Sequence, residues 1–160
     1  MKLKHIAFKR TLKLPHRSFF LFGPRGVGKS TWLRQVLPTN TIFFDLLSNA
    51  TYLELSKNPE KLENLLGENE RREQWICIDE IQRVPQLLNE VHRLMESKKI
   101  KFALSGSSAR KLKRGGANLL AGRAVTRSLE SFSAEELEEK FNLKKALEWG
   151  TLPLVYLNPN

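Results

Sequence analysis

A chain of 160 residues is long enough for one domain with a real core and short for two, so a single domain over 1–160 is expected. Its 41% apolar and 28% charged residues are those of a soluble globular protein, which excludes disorder as the ground state. No apolar run approaches the ~20 residues that cross a bilayer, so no membrane partner is expected. The net charge of +10 is unevenly spread: Lys98 to Arg127 carries nine Lys/Arg and no acid, while acids gather at Glu60–Glu80 and Glu130–Glu139. Such a surface attracts anions to one side, whether nucleotide, nucleic acid or an acidic protein, or is simply a solvated face.

The lead-in over 1–17 holds six Lys/Arg and no acid, yet no apolar segment follows, so it does not read as a secretory signal. A mitochondrial presequence is the weaker reading, because the segment runs almost directly into the first core strand. The single Cys77 lies in an apolar run with no disulfide partner, and a cytoplasmic location is expected.

Apolar runs ending at turn residues then alternate with helical periodicity, the mark of βαβ units around a parallel sheet in a three-layer α/β/α fold. Phe19–Phe22 is the first strand, and a helix is expected from Lys29 to Leu37, stopped by Pro38. Thr41–Phe44 gives a second strand closing on Asp45. Asn58-Pro59-Glu60 reads as a helix start, with Leu62, Leu65 and Leu66 on its apolar face. Trp75–Ile78 is a strand covered on both faces, ending on Asp79-Glu80. The stripe Val84, Leu87, Leu88, Val91, Leu94 and Met95 predicts a helix over Pro85–Glu96. Ile100–Leu104 is a further strand ending at Ser105-Gly106, and Ala124–Leu129 is a fifth. Ser133 and Glu136 form a capping box ahead of a helix with Leu137 and Phe141 at i, i+4.

Gly23-Pro24-Arg25-Gly26-Val27-Gly28-Lys29-Ser30 matches the phosphate-binding pattern G-x-x-x-x-G-K-[ST] in full, with a strand before it and a helix after. The glycines let backbone N–H groups turn inward as a nest for phosphate oxygens, and the helix dipole points its positive end at the same anion. Lys29 is expected at the β- and γ-phosphates and Ser30 on Mg²⁺, with Thr31 closing the loop. The implied ligands are ATP and Mg²⁺. No N-K-x-D guanine-reading motif occurs, which sets GTP aside, and chain order puts the base against Phe8–Pro15.

Trp75–Glu80 has the form of a Walker B strand. Asp79 is then expected to hold Mg²⁺ through water, and Glu80 to be the general base that polarises the attacking water. Ser105, or Ser107 or Ser108 nearby, is expected beside the γ-phosphate or that water. Arg123 is the candidate transition-state cation, in its own site or a neighbour's.

The succession Gly23–Ser30, Ile78-Asp79-Glu80-Ile81-Gln82, Leu104-Ser105-Gly106-Ser107-Ser108 and Leu120-Ala121-Gly122-Arg123 resembles the ATPase domain of AAA-type prokaryotic ATPases that usually carry a poorly characterised C-terminal domain. The resemblance spans Phe8 to Phe141. It implies ATP binding and hydrolysis on a sheet of order 5-1-4-3-2, with Lys29, Ser30, Asp79 and Glu80 carrying the chemistry. The resembling family usually adds a C-terminal domain, of which 143–160 would be the truncated start, and the expected protein partner is that domain or a second copy of the chain (a homo-oligomer). No helical lid with a second sensor arginine is recognisable, so the expectation is a fragment or a minimal form.

Two other readings compete. A small-molecule P-loop kinase would use Asp45 to bind its acceptor, with the arginines of Arg110–Arg123 as a lid. It differs from the ATPase class in lacking a strand inserted beside the P-loop strand. A non-hydrolysing nucleotide-gated module would bind nucleic acid through Lys98–Arg127, with steep salt dependence. Aromatic residues do not interleave that stretch, so base stacking lacks support.

Overall fold

Side chains alternate across a strand, so a strand buried on both faces feeds two cores at once. Phe20 and Phe22 enter one apolar cluster while Phe19 and Leu21 enter the other, and Ile76/Ile78 and Trp75/Cys77 divide in the same way. The computed structural model describes residues 9–67, 74–114 and 120–157. The first eight residues of the basic lead-in, Phe8 among them, lie outside these, as do residues 68–73 of the acidic stretch and 115–119 of the basic one.

Strands β1 (Phe19–Phe22), β2 (Ile42–Asp45), β3 (Trp75–Asp79), β4 (Lys101–Gly106) and β5 (Val125–Ser128) form one sheet, all pairs parallel, in the order β2-β3-β4-β1-β5. This is the expected 5-1-4-3-2 read from the other edge. Helix α1 (Lys29–Val36) covers one face through Trp32 and Leu33. Helices α2 (Asn49–Lys57), α3 (Lys61–Leu66) and α4 (Leu87–Lys98) cover the other through Leu55, Leu62, Leu87, Val91 and Leu94. Short α5 (Ala109–Arg114) follows β4. Helices α6 (Ala134–Leu137), α7 (Leu143–Trp149) and α8 (Pro153–Tyr156) follow β5 and share a small apolar cluster of Phe132, Leu137 and Tyr156. Among the described residues no helix is long and apolar enough to cross a membrane.

Two expectations need correction, and one helix was not expected. The Asn58-Pro59-Glu60 segment does not open a helix at Pro59: Asn58 closes α2, its N–H donating to Glu54 O at 3.1 Å, and α3 begins at Lys61. Helix α2 has no counterpart in the sequence reading, because Leu55 is its one buried residue and Leu53 faces solvent. The capping box of Ser133 and Glu136 is formed, but α6 ends at Leu137, where Glu138 turns left-handed at φ 48°. Phe141 therefore does not stack on Leu137 along a helix and is exposed.

The turn after β1 is tight. β5 continues beside it, Leu129 N–H donating to Phe22 O at 2.8 Å, and a Cβ at Gly23 would stand 2.0 Å from Leu129 O. Backbone blocks that space, so neither side can yield cheaply. Gly23→Ala is expected to cost at least about 1–3 kcal/mol in urea unfolding.

Candidate phosphate and hydrolysis site

Parallel strands point their carboxyl ends to one edge, and the register decides which side chains meet there. Phe44 aligns with Ile78, Ile78 with Leu104 and Leu104 with Phe20. Asp79, Glu80 and Ser105 therefore arrive beside the loop that leaves β1. Gly28 precedes α1 at φ 90°, a conformation that a side chain would resist, and lets the backbone swing from loop into helix. The amino end of α1 thus faces the inside of the loop.

Lys29 is only 6% exposed, its ammonium turned into the loop, where it donates to Gly23 O at 2.8 Å and Pro24 O at 2.9 Å. Burial pushes its pKa below that of an ordinary lysine, the negative charges of Glu80 and Asp79 pull it partly back, and Arg25 adds to the lowering. Pro24, Arg25, Gly26, Ser30 and Thr31 are exposed, while Val27 is wholly buried against the α1 core.

Asp79 is the centre of the polar group. Ser30 Oγ donates to its Oδ2 at 2.5 Å, and Ser105 Oγ donates to its Oδ1. Ser105 is fully buried and its hydroxyl also accepts from Glu80 N–H at 3.1 Å, so one serine orients both acids. The Glu80 carboxylate accepts from Gln82 Nε2, which lies 3.4 Å from Ser107 Oγ. The hydroxyl of Ser30 and the carboxylate of Asp79 are hard oxygen donors of the kind that suits Mg²⁺. Among the described residues no group of three His, Cys, Asp or Glu forms a metal cage.

Two candidates are not drawn into this group. Arg123 precedes β5 by two residues, and β5 starts level with the start of β1, since Val125 aligns with Phe19. It therefore lies at the amino edge of the sheet, about one strand length (~13 Å) from the loop, and ion-pairs with Glu96 near the end of α4. In this arrangement the Arg123 side chain is directed to Glu96 and not into the loop of its own chain. Asp45 ends β2 and borders the cleft of Ser30, Arg34, Phe43 and Asp79. Its carboxylate accepts from Leu47 N–H at 2.8 Å, the ordinary work of a turn aspartate.

On sequence grounds Arg10 has no role, Gln82 stands only as part of the Ile78–Gln82 segment, and Glu136 reads only as a cap. Arg10 ion-pairs with Glu136 at 3.1 Å, the side chains 7% and 5% exposed. The same guanidinium donates to Val27 O of the loop at 3.2 Å and to Glu130 O at 2.5 Å. Glu136 also accepts from Thr11 N–H and hydroxyl and from Ser133 N–H. The lead-in, the phosphate loop and the segment after β5 are thus tied at one buried node. Only a basic lead-in residue facing a later acid hinted at it.

A five-stranded parallel sheet between helical layers, with the strand of Ser105 inserted between the P-loop strand and that of Asp79, defines a P-loop ATPase domain of the inserted-strand class. The family described as AAA domain matches residues 15–138, and the chain belongs to it. Among solved structures, the Orc1 protein of Aeropyrum pernix, determined in complex with DNA, is similar at TM-score 0.56 and 15% identity. The match covers 82% of this chain and 44% of that one, so the chain spans less than half of that protein's length. No curated protein matches.

Proposed function

We propose that this chain binds ATP with Mg²⁺ at Gly23–Thr31 and hydrolyses it. The observation that carries the reading is the convergence of Lys29, Ser30, Asp79, Glu80 and Ser105 at one sheet edge, with β4 between β1 and β3. The Lys29 ammonium exchanges the carbonyls of Gly23 and Pro24 for β- and γ-phosphate oxygens, and the loop N–H groups and α1 dipole cradle the rest. Ser30 and Asp79 hold Mg²⁺, which when bound neutralises phosphate charge. Ser105 fixes the Asp79 carboxylate from the far side. Glu80 takes the proton of a water whose oxygen attacks the γ-phosphorus as the bond to the β–γ bridging oxygen breaks. Arg123 of a second copy is the cation available for that transition state, which requires the amino edge of one chain to face the carboxyl edge of another.

The inserted strand counts against a kinase, and Asp45 already has a partner in its own turn. Within the basic stretch Lys98–Arg127, the second candidate surface, Lys98 pairs with Glu63 at 2.8 Å and Arg123 with Glu96. Phosphate release from ATP, followed with and without Mg²⁺ over a range of protein concentrations, tests the proposal. Mg²⁺-dependent turnover is expected, rising per molecule with concentration if Arg123 acts across an interface. Binding without turnover would leave a nucleotide-gated switch.

A further inference from the structure

The Glu80 carboxylate is held. Gln82, in the 3₁₀ turn Ile81–Arg83, folds its amide back so that Nε2 donates to Glu80 Oε2, with Ser107 Oγ as a second acceptor at 3.4 Å. The other end of the amide, Oε1, is buried with no hydrogen-bond partner among the described residues. Its seat depends on a missing side chain: a Cβ at Gly106 would stand 2.6 Å from Oε1. Glu80 itself sits at φ 61°, the left-handed region that a residue with a Cβ seldom occupies. An orphaned buried carbonyl and a strained backbone at the same turn are features that collect at switching and catalytic sites.

We propose that Gln82 is a brake on Glu80: a positioning residue whose amide holds the carboxylate and thereby sets the rate at which bound ATP is hydrolysed. The inference rests on Glu80 as the base. Taking a proton from water requires a carboxylate lone pair aimed at that water, and the Gln82 N–H occupies one on Oε2. Turning the amide toward Ser107 transfers the donor and frees the oxygen. Ser107 follows directly on β4, so the brake is joined to the strand that also carries Ser105. Among the described residues the hydrogen bonds of the Gln82 side chain go to Glu80 and Ser107, and none goes to the loop that holds the phosphates. Gln82 therefore acts on the chemical step and leaves binding alone.

The test compares single-turnover hydrolysis of MgATP by the full chain with its affinity for a non-hydrolysable ATP analogue. Gln82→Met keeps the reach and removes the donor. It is expected to raise the rate about tenfold to a hundredfold, the range one hydrogen bond to a charged group commands, with unchanged affinity. Gly106→Ala displaces the amide without removing it and is expected to act in the same direction, and it carries the test if Gln82→Met does not fold. A folded variant whose rate is unchanged or lower overturns the brake, as does one whose rate and affinity fall together. Glu80→Gln separates this proposal from the one beneath it. If that variant hydrolyses as fast as the parent, Glu80 is not the base; if it is inactive while Gln82→Met is no faster, only the brake fails.

Discussion

Glu80→Gln is expected to hold MgATP as tightly as the parent chain and to hydrolyse it about 10²- to 10⁴-fold more slowly. The substitution is isosteric and keeps an oxygen for the Gln82 N–H, and the Glu80 backbone N–H still reaches Ser105. What it removes is the ability to accept a proton from water. Because Lys29, Ser30 and Asp79 are untouched, the loss belongs to the chemical step. The measurement is single-turnover phosphate release set against equilibrium binding. Retained turnover would assign the proton to another group, and lost binding would mean that Glu80 supports the fold of the site.

Lys29→Met is expected to weaken MgATP binding by about 10²- to 10³-fold, because two charge-assisted hydrogen bonds to phosphate oxygens go with the ammonium. The parent lysine also predicts a pH dependence. Burial lowers its pKa, so the charge that phosphate needs is lost at a lower pH than for an exposed lysine. Affinity for MgATP is thus expected to start falling on the alkaline side before the ordinary lysine range, and Lys29→Met removes that limb. Stability runs the other way. Between the lowered folded pKa and the ordinary unfolded one, the unfolded chain binds more protons, so this group's contribution to stability rises with pH across that window. Opposite trends in affinity and stability from one residue are difficult to produce by general alkaline loosening.

The sheet was readable because its strands are short apolar runs ending on turn or acidic residues, and β1 and β3 announce their ends with Gly23 and Asp79. Strand order was not visible in any local pattern; it came with the family resemblance, and the register of β4 between β1 and β3 agrees with it. Helix α2 escaped notice because it buries so little, and α6 was drawn too long because the reversal at Glu138 leaves no Gly or Pro to mark it. In the candidate site, Lys29, Ser30, Asp79 and Glu80 were legible because phosphate chemistry dictates both residue type and spacing. The links between them were not. Ser105 reaches Asp79 across 26 residues of sequence, Arg10 reaches Glu136 across 126, and Arg123 pairs with Glu96 across 27. Such pairings follow from tertiary register, which a linear pattern does not carry.

In the proposed mechanism Gly23–Thr31 is an ATP site in which Lys29 provides the positive charge and Ser30 with Asp79 the magnesium oxygens. Calorimetric titration of ATP into the chain, with and without Mg²⁺ and with Lys29→Met alongside, tests it most directly. One site per chain is expected, tighter with Mg²⁺ than without, and weakened about 10²- to 10³-fold in Lys29→Met. Equal binding by the parent and Lys29→Met, or no saturable binding by a folded parent chain, would contradict it.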